Sequence, residues 1–124
     1  MMKIAVIAKT GTIAQGRWVR LTGIQKDGVW EVELPGPGRR AHAIILPHPK
    51  SGISTTDYGH AMPLGPIVEV VAAGAVAVDN DLTPDAAGAV KKASAGDRRC
   101  VGVAVTKGTL GKPFMMMLRW AGRP

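Results

Sequence analysis

A single cysteine, Cys100, stands among 124 residues, so the chain forms no internal disulfide and no cysteine-built metal centre. Such sparing use points to a reducing compartment, the cytoplasm of a producing cell. Long apolar runs are missing too. The longest uncharged apolar stretch, Val70 to Val78, has nine residues, against the roughly 20 that a membrane-spanning helix needs. The opening Met1-Met2-Lys3-Ile4-Ala5-Val6-Ile7-Ala8 is too short for a signal-peptide core. No membrane association is expected. Aromatic residues are scarce: three Trp, one Tyr and one Phe. Acidic residues are outnumbered, 9 against 16 Lys and Arg, which leaves a formal charge of +7. A balance of that sign suits an acidic partner, or simply keeps a small domain soluble. The cations are dispersed, with pairs only at Arg39-Arg40, Lys91-Lys92 and Arg98-Arg99.

Turn formers and β-branched residues are abundant. Gly and Pro make up 25 of the 124 residues, and 13 Val and 8 Ile stand against 7 Leu. That mixture describes short strands joined by tight turns. Strands are predicted at Arg17–Leu21, Val29–Leu34, Ala41–Leu46, Ile67–Val71, Val76–Asp79, Ala89–Ala93, Val101–Thr106 and Phe114–Trp120. The segment from Thr83 to Ala93 admits a second reading as a short helix. Thr83 suits an N-cap, Pro84 the first helical position, and alanines follow. Gly88 interrupts that helix, and strand is the better fit.

The chain is also self-similar. Ala14–Leu21 aligns with Ala72–Asp79, Asp27–Val32 with Ala87–Lys92, Gly38–Ile45 with Asp97–Ala104, and Gly65–Val70 with Lys112–Met117. The expected architecture is therefore mainly β: one domain over residues 1–124, a compact barrel or sandwich built from two degenerate repeats near 11–70 and 71–122. An extended N-terminal segment, 1–10, precedes them, and at most one short helix lies near 83–93. A turn-rich loop, Pro47 to Pro63, is carried by the first copy alone; loops of that length are often functional.

Catalytic groups are thin. His42 sits among Ala41, Ala43, Ile44 and Ile45 and reads as a packed residue. His48 and His60, with Ser54 and Asp57 between them, have no zinc-ligand spacing. Cys100 reads as a small buried hydrophobe. Gly36-Pro37-Gly38 and Gly108-Thr109-Leu110-Gly111-Lys112 match neither phosphate-binding fingerprint. No catalytic residue, cofactor or metal is assigned. Nucleic-acid binding by a small basic barrel is the alternative function. Against it, no two aromatics stand two residues apart, the spacing that would build a stacking platform on one strand face.

One run is distinctive in its order: Ala73-Gly74-Ala75-Val76-Ala77-Val78-Asp79, then Ala89-Val90-Lys91-Lys92-Ala93, then Ala95-Gly96-Asp97-Arg98-Arg99-Cys100-Val101-Gly102-Val103-Ala104, then Phe114–Trp120. This stretch, about Val71 to Gly122, resembles the head decoration, or capsid cement, proteins of tailed bacteriophages. The first half matches only as a degenerate copy, with Gly36-Pro37-Gly38-Arg39 in place of Ala-Gly-Asp-Arg. The resemblance implies a non-enzymatic β-protein on the outer surface of the virion. There it binds the major capsid protein of an expanded head and bridges neighbouring coat subunits, often as a trimer. The loop at 47–63 and the basic balance depart from the family pattern. Candidate contacts follow from that role. Lys3, Ile4 and Val6 lie in an apolar lead segment able to add as a strand to a capsid edge. Arg17, Arg20, Arg39, Arg40, Arg98 and Arg99 suit an acidic capsid exterior. Trp18, set among arginines, and Tyr58, in the long loop, complete the set.

Overall fold

Asp27-Gly28 sets the first hairpin. Both residues take positive φ, 53° and 81°, the combination a two-residue turn needs if its twist is to match that of the strands it joins. A computed structural model of the chain describes residues 3–37, 39–97 and 100–119. Among them every regular element is a strand, twelve in all, and no helix occurs. The chain divides into two compact units, 1–64 and 65–124.

In the first unit, β1 (Ile4–Ala8), β3 (Trp18–Lys26), β4 (Val29–Glu33), β5 (Ala43–Ile45) and β7 (Gly59–Pro63) close into a barrel in the order β1-β4-β3-β5-β7. β1 lies parallel to β4, with Val6 beside Trp30, and antiparallel to β7, with Val6 beside Gly59. β3 bends at a register shift between Leu21 and Gln25, where Gly23 adopts a φ of 97°. A bulge of this kind sharpens curvature and helps a small sheet close. Alternation then fills the interior. Ile4, Val6 and Ala8 are buried from β1, Val19 and Leu21 from β3, Trp30 and Val32 from β4, Ala43 and Ile45 from β5, and Ala61 from β7. Each large apolar side chain so buried contributes about 1.5–3 kcal/mol. A two-stranded ribbon, β2 (Thr12–Ala14) with β6 (Gly52–Ser54), completes the unit and buries Ile13 and Ile53.

The second unit is a five-stranded sheet ordered β10-β9-β11-β12-β8. Its strands are β8 (Ile67–Val71), β9 (Asp81–Pro84), β10 (Val90–Lys92), β11 (Gly102–Ala104) and β12 (Pro113–Leu118), and every neighbouring pair is antiparallel. Its core gathers Ala72, Val76, Leu82, Val90, Ala104, Phe114 and Met116. The methionine run divides by strand alternation. Met116 joins Phe114 in that core, while Met117, on the opposite face beside Val103, is equally buried.

Several expectations are corrected. The lead segment is β1, paired on both sides within its own barrel, so it has no edge to offer a capsid strand. The long loop carries β6 and β7. Their Gly-Ile-Ser and Gly-His-Ala-Met-Pro sequences lack β-propensity because the barrel needs small residues there; a Cβ on Gly59 would lie 2.7 Å from Ile53 Cγ2 and 2.8 Å from His48 Cδ2. Val76–Asp79 forms a single bridge, Val76 to Gly108, and then turns. Asp79 has a φ of 77°, and the Asn80 side chain accepts the Ala77 N–H at 2.9 Å. The helix reading of 83–93 gives way to a β9–β10 hairpin in which the Asp85 carboxylate accepts the Ala87 and Ala89 N–H groups. The repeat alignment superposes β4 with β10, β5 with β11 and β8 with β12. It fails where β3 falls on Val76–Asp79, and β8, the end of the first copy, pairs with β12, the end of the second, inside one sheet.

Close approach of strands gives a direct test. A Cβ on Gly102 would meet the Met117 carbonyl oxygen at 2.5 Å, whereas one on Gly74 would meet nothing within 4 Å. Gly102→Ala is expected to cost about 1–3 kcal/mol in a urea or thermal unfolding measurement, and Gly74→Ala less than about 0.5 kcal/mol.

Candidate functional site

The side chains singled out in sequence fall into three groups. Ile4 and Val6 are core residues of the barrel and present nothing to a partner. Arg20 is also withdrawn. It stands on β3 directly opposite Glu33 of β4, is 6% exposed, and its Nη1 donates to Glu33 Oε2 at 2.5 Å. Lys9 Nζ lies 3.9 Å from the other oxygen of the same carboxylate. Removing either member of a pair this buried leaves a desolvated charge, so Arg20 serves the fold. Sequence alone marked it as a contact because its charge suits an acidic capsid exterior; the cover that Glu33 gives it has no sequence signal.

The second group is exposed. Lys3, Arg17, Arg39 and Arg40 reach solvent, Trp18 is 45% exposed and Tyr58 57%. Register places one of these, Trp18, on an outer face of the barrel, and a ring contact joins Tyr58 to the same face. Trp18 of β3 stands opposite Ile44 of β5, and Ile44 opposite Met62 of β7. His60, two residues back along β7, shares that face, and its ring meets Tyr58 edge-on at 6.2 Å between centroids. Arg98 and Arg99, the third group, lie outside the described residues.

His42 is fully buried, and its Nδ1 accepts the Leu21 N–H at 2.8 Å. That is a packed histidine, as its apolar neighbours indicated. His48 is an organiser that sequence reasoning missed. Its Nδ1 accepts the Lys50 N–H at 3.0 Å, which places the ring proton on Nε2, donating to the Tyr58 carbonyl at 3.0 Å. Its own N–H donates to the Gln15 side chain at 2.9 Å. With both ring nitrogens engaged by backbone, His48 fastens the segment that was read as a loop. A shallow groove of about 290 Å³ lies beside it, between β2 and β6. Its polar groups answer one another. Lys50 bridges Asp57 at 3.2 Å, and Ser54 Oγ accepts the Asp57 and Thr56 N–H groups. The Ser54 hydroxyl in turn donates to Asp57 Oδ2 at 3.5 Å. Among the described residues, no trio of His, Cys, Asp or Glu converges as a metal site. Cys100 donates to the Asp97 carbonyl at 3.2 Å.

No protein-family model matches the chain. No curated protein matches it. Among solved structures, the head fiber gp8.5 N base of bacteriophage phi29 is 15% identical, over 99% of this chain and 98% of that one, with a TM-score of 0.42. An overlay that loose carries no inference about role.

The two histidines predict unequal losses. His42→Ala leaves the buried Leu21 N–H without an acceptor and opens a void, and is expected to cost about 3 kcal/mol in denaturant unfolding. His48→Ala, on an exposed segment, is expected to cost about 1 kcal/mol and to expose 47–58 to limited proteolysis while the barrel stays intact.

Proposed function

We propose that the chain is a non-enzymatic decoration protein of a phage head, bound to the major capsid protein on the outer surface and bridging coat subunits, with a trimer as the assembled form. The observation that carries this reading is a coincidence of boundaries. The stretch resembling capsid cement proteins, Val71 to Gly122, falls wholly within the second compact unit, 65–124. Its Ala95-Gly96-Asp97 motif is a tight turn there, with Gly96 at a φ of 80° and the Asp97 N–H donating to the Ser94 carbonyl at 3.1 Å. The turn leads to β11, paired on both sides between β9 and β12. The motif thus has a physical purpose, reversing the chain into the middle of a sheet, and its order in sequence is the order of one folded piece.

The chemistry of the surface supports the same reading. Cementing calls for a rigid scaffold with interfaces, and the polar clusters described above are engaged with one another. Exposed cations complement an acidic shell and raise the association rate. Repetition of one site over the shell, together with trimer formation, lets modest single contacts sum to tight binding.

The test is co-sedimentation of the purified protein with expanded heads stripped of decoration, at low and high salt, with single-stranded and duplex DNA as parallel ligands. Saturable binding to heads near one copy per coat subunit, with no retention on DNA, is the expected result. Retention on DNA alone, falling steeply with salt, overturns the proposal and establishes the nucleic-acid reading. Binding to neither overturns it outright.

A further inference from the structure

The sheet of the second unit has two unequal edges. β10 is three residues long and carries the exposed Lys91 and Lys92. A short, charged edge is a common guard against unwanted strand pairing. β8 is five residues long, Ile67-Val68-Glu69-Val70-Val71, with four β-branched apolar residues and one charge. Among the described residues it pairs only with β12.

Hydrogen-bond parity shows which of its backbone groups are left over. The Leu118 N–H donates to the Pro66 carbonyl, and the Ala72 N–H to the Lys112 carbonyl. Even-numbered residues of this segment therefore bond to β12, and the N–H and C=O groups of Ile67, Glu69 and Val71 point the other way. Ala73, next in that odd series, confirms the direction: its N–H reaches across to the Val90 carbonyl at 2.7 Å. The three residues before it have no such acceptor among the described residues. Arg119, the last described residue after β12, donates its N–H to the Val101 carbonyl, on the β11 side. Side chains follow the same parity. Val68 and Val70 pack on the core, while Glu69 is exposed and Val71 is 48% exposed.

Glu69 decides what can pair there. Its neighbour across β12 is Met115, and no cation among the described residues bridges it. A second copy adding antiparallel with full overlap sets Glu69 against Glu69, a like-charge pair that opposes the contact. Sliding the register toward Ala73 meets a position already bonded to Val90. A strand with Lys or Arg facing Glu69 has neither obstacle.

We propose that the β8 edge is a strand-addition site that takes an extended segment of a coat subunit, with a basic residue of that segment placed against Glu69. The identity of the partner rests on the decoration reading. The site itself rests on the edge, its parity and its charge. Main-chain bonds to Ile67, Glu69 and Val71 would supply affinity, and Glu69 would fix register.

The experiment is amide hydrogen exchange on the full chain, free and bound to stripped heads, beside head binding by Glu69→Lys and Val71→Pro. Proline at 71 removes an outward N–H and leaves the bonds to β12 in place. Each variant is checked for an unchanged thermal unfolding profile, and Glu69→Lys serves alone if the proline variant does not fold. The expected result is fast exchange at Glu69 and Val71 in the free protein, slow exchange at Val68 and Val70, protection of the first two on heads, and head binding weakened about tenfold in each variant. Wild-type binding to heads without that protection, and variants within twofold of wild type, overturn the β8 site and leave the decoration reading standing. No wild-type binding to heads overturns both. Protection of Glu69 and Val71 in free protein that dimerises with concentration overturns the coat segment as occupant in favour of a second copy.

Discussion

Everything in the first unit depends on β1 having a partner on each side. A strand running parallel to β4 and antiparallel to β7 makes a ring of five with no open edge. Closure at so small a strand number is demanding. The strands must curve hard, which the Gly23 bulge provides, and the interior must be filled by few side chains. It also forces small residues where backbones converge. Gly59 sits against Ile53 and His48, and Gly52 meets the Ile13 backbone so closely that a Cβ would lie 2.5 Å from its carbonyl oxygen. The ribbon β2–β6 and the His48 staple are consequences of the same closure. They hold the chain between β5 and β7 close to the barrel, and burial of Ile13 and Ile53 helps offset the conformational entropy that ordering this segment costs.

The second unit resolves the same problem differently. Among the described residues its sheet remains open, its edges meeting only where Ala72 bridges Val90. An open sheet must manage two edges, and here they are managed unequally: lysines on β10, a lone glutamate within an apolar β8. The core is anchored on Phe114, Met116, Leu82 and Ala104, and β8 packs Val68 and Val70 against it. Methionine suits this position because its unbranched chain fills the irregular space left under a curled sheet. Gly102 then lets β11 approach β12 at the Met117 carbonyl, an approach no other residue permits.

How much of this was legible in sequence follows from what each signal measures. Strands rich in β-branched residues and bounded by glycine were legible: β3, β4, β5, β8 and β11 lie where Val, Ile and turn residues put them, and β12 lies on the apolar Phe-Met-Met-Met run. Four strands escaped notice: β2, β9, and, within the long loop, β6 and β7, which are Gly-Ile-Ser and Gly-His-Ala-Met-Pro. They are strands because neighbours pair with them, which is a property of the partner and not of the segment. The segment Val76–Asp79 failed in the opposite way. Its composition favours a strand, but Asn80 captures the Ala77 N–H and turns the chain before a ladder forms. The candidate contacts divide along the same line. Exposure of Arg17, Trp18 and Tyr58 follows from local pattern. Loss of Arg20 to Glu33 depends on a cross-strand register that no local pattern reports, and the spare edge of β8 depends on the order of strands in the finished sheet.

Charge acts at two ranges in the proposed role. The excess of cations, +7 over the whole chain, is a long-range property that draws the protein toward an acidic shell and is screened beyond about 8 Å at physiological salt. Glu69 has the opposite sign and acts only at contact. A negative group on an otherwise basic protein does not add to the attraction; it discriminates. It opposes pairing with a second copy of the same strand, and it favours a partner strand that brings a cation to one position. Attraction and selection are thus carried by different residues, so a strongly basic protein can still keep one apolar edge open.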